Sequence, residues 1–79
     1  MIRAFVLVRA KPGTSEEIVR ARRVKGVKLA NSVFGRYDAV LVIEGKDQEE
    51  LKKNIYETLE QMPGVLHTET LIALSEAEE

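Results

Sequence analysis

Residues 27–45 read VKLANSVFGRYDAVLVIEG. They hold two β-type runs joined by a short turn containing Gly35, and that pairing decides the fold. Val27–Phe34 predicts a strand of weak pattern. Tyr37–Gly45 predicts a stronger one, with an unbroken apolar run from Ala39 to Ile43. Two strands joined this closely predict an antiparallel hairpin at the middle of the chain. The chain has four aromatic side chains, and two of them, Phe34 and Tyr37, stand in this hairpin beside Arg36 and Asp38.

Outward from the hairpin, each side offers a helix and then a strand. On the N-terminal side, Ile2, Ala4, Val6 and Val8 alternate with Phe5 and Leu7, which predicts a first strand that is apolar on both faces. Thr14 followed by Glu17 predicts a capping box opening a helix over Ser15–Val24, ended by Gly26. On the C-terminal side, Asp47 and Glu50 predict the same device. Leu51, Ile55, Leu59 and Met62 recur at helical spacing as the expected core stripe, and Pro63-Gly64 ends the helix. Val65–Leu74 predicts the last strand, and residues 75–79, SEAEE, an acidic frayed tail. The two halves echo each other, each closing with Gly-Val before a strand (Gly26-Val27 and Gly64-Val65).

The order β-α-β-β-α-β predicts an α+β, ferredoxin-like domain over residues 1–79. It has a four-stranded antiparallel sheet with both helices on one face. The other sheet face is then expected to be apolar with no element of the chain left to cover it, so a second copy is expected to dimerise through the sheets. Chain length agrees. At 79 residues, a monomer removes only about 60–65% of its unfolded surface from water. The absence of cysteine rules out disulfides and thiolate metal sites. One histidine, His67, is too few for an ordinary zinc centre, so no metal and no cofactor is expected. A net charge of −1 argues against direct binding of nucleic acid by phosphate neutralisation. The apolar run at the N-terminus is too short to span a membrane and lacks a signal-peptide pattern, so a cytoplasmic protein is expected.

Three groups of residues carry candidate chemistry. In the hairpin, Gly35, Arg36 and Tyr37 offer backbone N–H groups that suit a carboxylate, and Asp38 suits an ammonium. A free amino acid presents both charges on one carbon. The same residues also make an ordinary turn, with glycine for the backbone angle and Asp38 capping the loop. On the last strand, Thr68 and Thr70 share one face and His67 and Glu69 the other. The threonines line a polar pocket or simply express β propensity, and His67 with Glu69 lacks a nucleophile or third group. The basic run Arg20, Arg22, Arg23, Lys25 and Lys28 is expected to be a solvated face beside a helix C-terminus.

The element order, the GRYD hairpin matching a Gly-x-Tyr-Asp pattern, PGV before the last strand and TETLI within it together resemble the ligand-binding domain of the Lrp/AsnC, or feast/famine, transcriptional regulators. The resemblance runs over essentially the whole chain. It implies dimerisation through the sheets and rings of dimers, octamers or decamers. It also implies small effectors, usually amino acids, bound between dimers near the hairpin. Carried across by motif, Gly35, Tyr37 and Asp38 match the hairpin, Arg36 occupies its variable position, and Thr68 and Thr70 match a Thr-x-Thr. No catalytic residue is implied. The regulators carry an N-terminal helix-turn-helix domain, whereas this chain begins at strand one. It is therefore expected to be a stand-alone effector domain that modulates transcription through full-length relatives. The rival reading is a small enzyme on a dimeric ferredoxin-like α+β barrel, which needs an internal cavity and a working His67.

Overall fold

The computed structural model describes residues 1–74, apart from the side chain of residue 15; the expected acidic tail lies outside the described residues. The elements are β1 (Ile2–Ala10), α1 (Ser15–Ala21), β2 (Val27–Ser32), β3 (Ala39–Gly45), α2 (Gln48–Glu60) and β4 (Val65–Ile72). All pairings are antiparallel, in the order β2-β3-β1-β4. This is the expected ferredoxin-like arrangement. Ala4, Val6 and Val8 of β1 and Ala39, Leu41 and Ile43 of β3 are buried with Ile18 of α1 and Leu51 of α2, so the core lies between the sheet and the helices.

The opposite sheet face carries a row of apolar side chains in register. Leu29 pairs with Val42, Val42 with Phe5, and Phe5 with Leu71, so the row crosses all four strands. Leu29, Phe5 and Leu71 are exposed at 40%, 37% and 49%. Beside the row, Leu7 pairs with Val40, and the Arg3 guanidinium holds the Glu44 carboxylate at 2.6 Å.

Several boundaries and contacts differ from the sequence expectation. The second strand ends at Ser32 rather than Phe34, and the third begins at Ala39 rather than Tyr37, because a six-residue loop needs room to turn. The first helix ends at Ala21, not Val24, and turns carry the chain to Gly26. Thr14 caps it with its backbone carbonyl, and its side chain makes no capping bond. Glu17 leaves its own helix instead and accepts the Gly64 N–H at 3.0 Å. In the second helix, the Asp47 side chain accepts the Glu50 N–H at 2.9 Å, while the Glu50 carboxylate accepts from Lys46 rather than from Asp47 itself.

The largest correction concerns which face of α2 is buried. Its buried residues are Leu51, Asn54 and Thr58, with Met62 beyond its end, while Ile55 and Leu59 lie on the flank. Two polar side chains enter the core because each has a partner. Asn54 Nδ2 donates to the Glu44 carbonyl at 2.8 Å, and Thr58 Oγ1 donates to the Asn54 carbonyl at 2.7 Å. A buried polar group that is satisfied costs little.

The echo between the halves has a structural basis. The Gly26 carbonyl accepts the Glu44 N–H at 2.8 Å, and the Gly64 carbonyl accepts the Lys11 N–H at 3.0 Å. Each glycine thus docks the start of an edge strand on the end of an inner one. Each also lies under a helix side chain, Asn54 above Gly26 and Glu17 beside Gly64. Glu17→Ala removes a carboxylate acceptor from a part-buried amide and is expected to cost about 1–2 kcal/mol. The check is thermal unfolding at fixed protein concentration, where roughly 4–8 °C is lost per kcal/mol in a domain this small.

Candidate functional site

The loop between β2 and β3 stands at the end of the sheet where β1 finishes. Asp38 ties it down. The Val33 N–H donates to the Asp38 carbonyl at 2.9 Å, and the Asp38 N–H donates to the Val8 carbonyl at 2.8 Å. The Asp38 carboxylate accepts the Ala10 N–H through Oδ2 at 2.8 Å. One carboxylate oxygen is thereby fixed to β1, beside the register shift between Arg9 and Ala10. Its other oxygen makes no hydrogen bond among the described residues.

Gly35 has φ +136°, which an L side chain rarely adopts, and a Cβ there would meet nothing within 4 Å. Glycine is needed for the backbone angle and not for close packing. Phe34 projects fully exposed beside it, and Arg36 is exposed as well. Tyr37 turns back over the sheet, and its hydroxyl donates to Glu69 Oε1 on β4. That bond crosses β1 and joins the hairpin to the far edge strand.

The Glu69 hydrogen bond raises the Tyr37 pKa above the usual phenol value, with desolvation and the negative charge of Glu69 adding to it. The guanidiniums of Arg36 and Arg9 pull the other way. The folded state therefore keeps the phenol proton to higher pH than the unfolded chain. The stability this provides is complete below the unfolded pKa of about 10 and is lost as pH rises through the folded value. In an ultraviolet titration, Glu69→Ala, which removes the acceptor and the charge together, is expected to return Tyr37 toward ordinary phenol behaviour and to remove this alkaline destabilisation.

The threonines occupy a different face. Thr68 pairs with Val8 and Thr70 with Val6, so both lie on the helix side of β4, as does Ile72 opposite Ala4. His67 opposite Arg9 and Glu69 opposite Leu7 lie on the open face. The shared faces of the last strand are those expected, but within one chain Tyr37 and the threonine pair do not converge. A groove of about 370 Å³ between α2 and β4 lies at the far end of β4 from the hairpin and is lined by Gln48, Leu51, Lys52, Ile55, Tyr56 and Ile72.

Two residues of the hairpin environment escaped the sequence reading in this role. Glu69 is 32 positions from Tyr37, and Arg9 reaches the hairpin only through the register of β1; no local spacing signals either. Arg22, read as part of a solvated basic face, instead donates to the Ala30 carbonyl of edge strand β2 through Nε at 3.0 Å and a terminal nitrogen at 2.7 Å. Among the described residues no group of three or more potential metal ligands occurs, and no helix is long and apolar enough to cross a membrane.

The sheet order and the helices on one face define a ferredoxin-like α+β domain, closed at one end by the Asp38-anchored hairpin. The family model of the Lrp/AsnC ligand-binding domain matches residues 3–79, and the chain belongs to that family. None of the curated proteins matches the sequence. Among solved structures, TTHA0845 from Thermus thermophilus is 32% identical with a TM-score of 0.89, each chain covered over 100% of its length. The hypothetical protein PHS023 from Pyrococcus horikoshii is 31% identical with a TM-score of 0.84, over 96% of this chain and 93% of that one. The transcriptional regulator NMB0573 from Neisseria meningitidis, solved as an L-Met complex, shares the fold at 20% identity and a TM-score of 0.79; the match spans 99% of this chain and 53% of the regulator.

Proposed function

We propose that this chain is an oligomeric sensor of amino acids that modulates transcription through full-length relatives of its family. The observation that carries the reading is the hairpin. Gly35 holds a positive φ in open space, and the backbone N–H groups from Gly35 to Tyr37 stand at the sheet end beside a carboxylate with one oxygen uncommitted. That set suits the α-carboxylate and α-ammonium of an amino acid. The L-Met complex of a regulator with the same fold supports the ligand class. The threonine pair lies on the other sheet face from Tyr37, so a pocket using both requires residues from two chains. The assembly proposed is a dimer through the apolar row Leu29-Val42-Phe5-Leu71, extended to a ring of dimers, an octamer or a decamer.

Native mass spectrometry and calorimetric titration with the twenty amino acids test both halves together. The expected result is an oligomer that binds at least one α-amino acid, with stoichiometry tied to dimer contacts. An 8.9 kDa monomer at micromolar concentration overturns the assembly, and an intact oligomer that binds none of the twenty overturns the effector class. The isolated chain, at a net charge of −1, is expected to leave duplex DNA unshifted at physiological salt.

A further inference from the structure

Four charged side chains surround Tyr37 at the open-face end of the sheet, and they are committed unequally. Glu69 accepts the Tyr37 hydroxyl, and Asp38 accepts the Ala10 amide. Both carboxylates are thus engaged by neutral donors. Arg9 stands on β1 opposite His67 and next to Ala10, and Arg36 stands in the loop next to Tyr37. Among the described residues, neither guanidinium has a carboxylate within ion-pair distance; the ion pair found is Arg3 with Glu44 at the other end of the sheet. The charge of each cation favours the ionised form of Tyr37. A guanidinium presents a planar fork that matches a carboxylate and binds it in bidentate fashion.

An effector held by its α-carboxylate on the loop N–H groups and by its ammonium on Asp38 would sit beside both cations, Arg36 within that loop and Arg9 next to the Ala10 amide that Asp38 accepts. We propose that the hairpin selects an acidic effector, a dicarboxylic α-amino acid, and that Arg36 and Arg9 are the residues that determine this choice by receiving the side-chain carboxylate. The proposal rests on the amino-acid reading of the hairpin given above and adds the ligand's charge to it. A neutral side chain gains no ion pair from the two guanidiniums. A cationic one is repelled by them.

The test compares ligands of the same shape that differ in charge. The intact oligomer is titrated with L-glutamate and L-glutamine, and with L-aspartate and L-asparagine, and then with the same four in Arg36→Gln and Arg9→Gln. Both arginines are exposed, so neither variant disturbs the core, and oligomer size is measured alongside. At least one acidic member is expected to bind about tenfold more tightly than its amide. That ratio is expected to shrink as salt rises from low to physiological, and to fall toward one in Arg36→Gln, with a smaller loss in Arg9→Gln. An amide or another neutral amino acid that binds as tightly as its acidic counterpart overturns the proposal while leaving the amino-acid reading intact. So does an acidic preference that is unchanged in both variants. If no α-amino acid binds the intact oligomer, the amino-acid reading and the acidic preference both fail.

Discussion

Gly26→Ala is expected to cost the fold about 3 kcal/mol or more, by two additive mechanisms. The first is conformational. Gly26 sits at φ +93°, where an L residue carries about 1–2 kcal/mol of strain. The second is steric. A Cβ built there collides with the Asn54 side-chain amide and stands 2.6 Å from the Glu44 carbonyl oxygen. Neither can yield cheaply, since Asn54 is buried and donates to that same carbonyl at 2.8 Å. Displacing Asn54 leaves buried polar groups unsatisfied, at about 1–3 kcal/mol.

A domain of this length has a stability of only about 4–12 kcal/mol at 0.05–0.15 kcal/mol per residue. The variant is therefore expected to unfold some 12 °C or more below the parent, or to accumulate unfolded. Gly13→Ala is the control. Gly13 has φ +85°, but a Cβ there meets nothing within 4 Å, so only the strain of about 1–2 kcal/mol remains and the loss is expected to be clearly smaller. Both are read by thermal unfolding at one fixed protein concentration, because assembly makes the midpoint concentration-dependent. Equal losses in the two variants would show that the close approach of β2, β3 and α2 at Gly26 contributes nothing.

The second large effect is expected at Asp38. Asp38→Ala is expected to weaken effector binding by roughly ten- to a hundredfold, because a charge-assisted hydrogen bond contributes about 1.5–3 kcal/mol and each 1.4 kcal/mol is a factor of ten. The residue also fixes the end of β1 through the Ala10 N–H, so alanine removes an anchor and a charge together. Asp38→Asn separates them. Its amide oxygen still accepts from Ala10 and keeps the loop in place, while the negative charge for the ammonium is gone. The expected order of affinity is parent, then Asp38→Asn, then Asp38→Ala, measured by calorimetry on oligomers of equal size. Asp38→Asn binding as tightly as the parent would limit Asp38 to its role in the turn, and unchanged affinity in an intact Asp38→Ala oligomer would remove it from the site.

Much of this architecture was legible in short-range patterns. Alternation along Ile2–Val8 and the apolar run Ala39–Ile43 mark inner strands, and the Asp47 cap marks the start of α2. Those signals repeat over two to four residues and need no knowledge of the rest of the chain. Patterns of that range also mislead where a distant partner competes. The stripe Leu51, Ile55, Leu59 and Met62 is correctly helical, yet it misplaces the centre of the buried face. Asn54 and Thr58 look like surface residues until the Glu44 carbonyl is found above Gly26 to receive the amide. Glu17 has the spacing of a capping box with Thr14, but the Gly64 amide, 47 positions away, takes its carboxylate.

The candidate site divides the same way. Gly35 and Asp38 were recognisable as turn chemistry, because a positive φ and a loop-capping carboxylate belong to the residues themselves. The partners of Tyr37 and Asp38, and the cations beside them, depend on strand register. By itself, then, the sequence determined the order and type of the elements, the doubly apolar first strand and the hairpin with its turn residues, since each follows from side-chain period and backbone preference within a few positions. Only the tertiary structure decided which face of α2 enters the core, where Glu17 and Arg22 spend their charges, that Tyr37 meets Glu69 across β1, and that Thr68 and Thr70 lie on the opposite face from that contact. The physical reason is that hydrogen-bond partners and contacts between distant segments are set by register and packing, and those exist only once the sheet has formed.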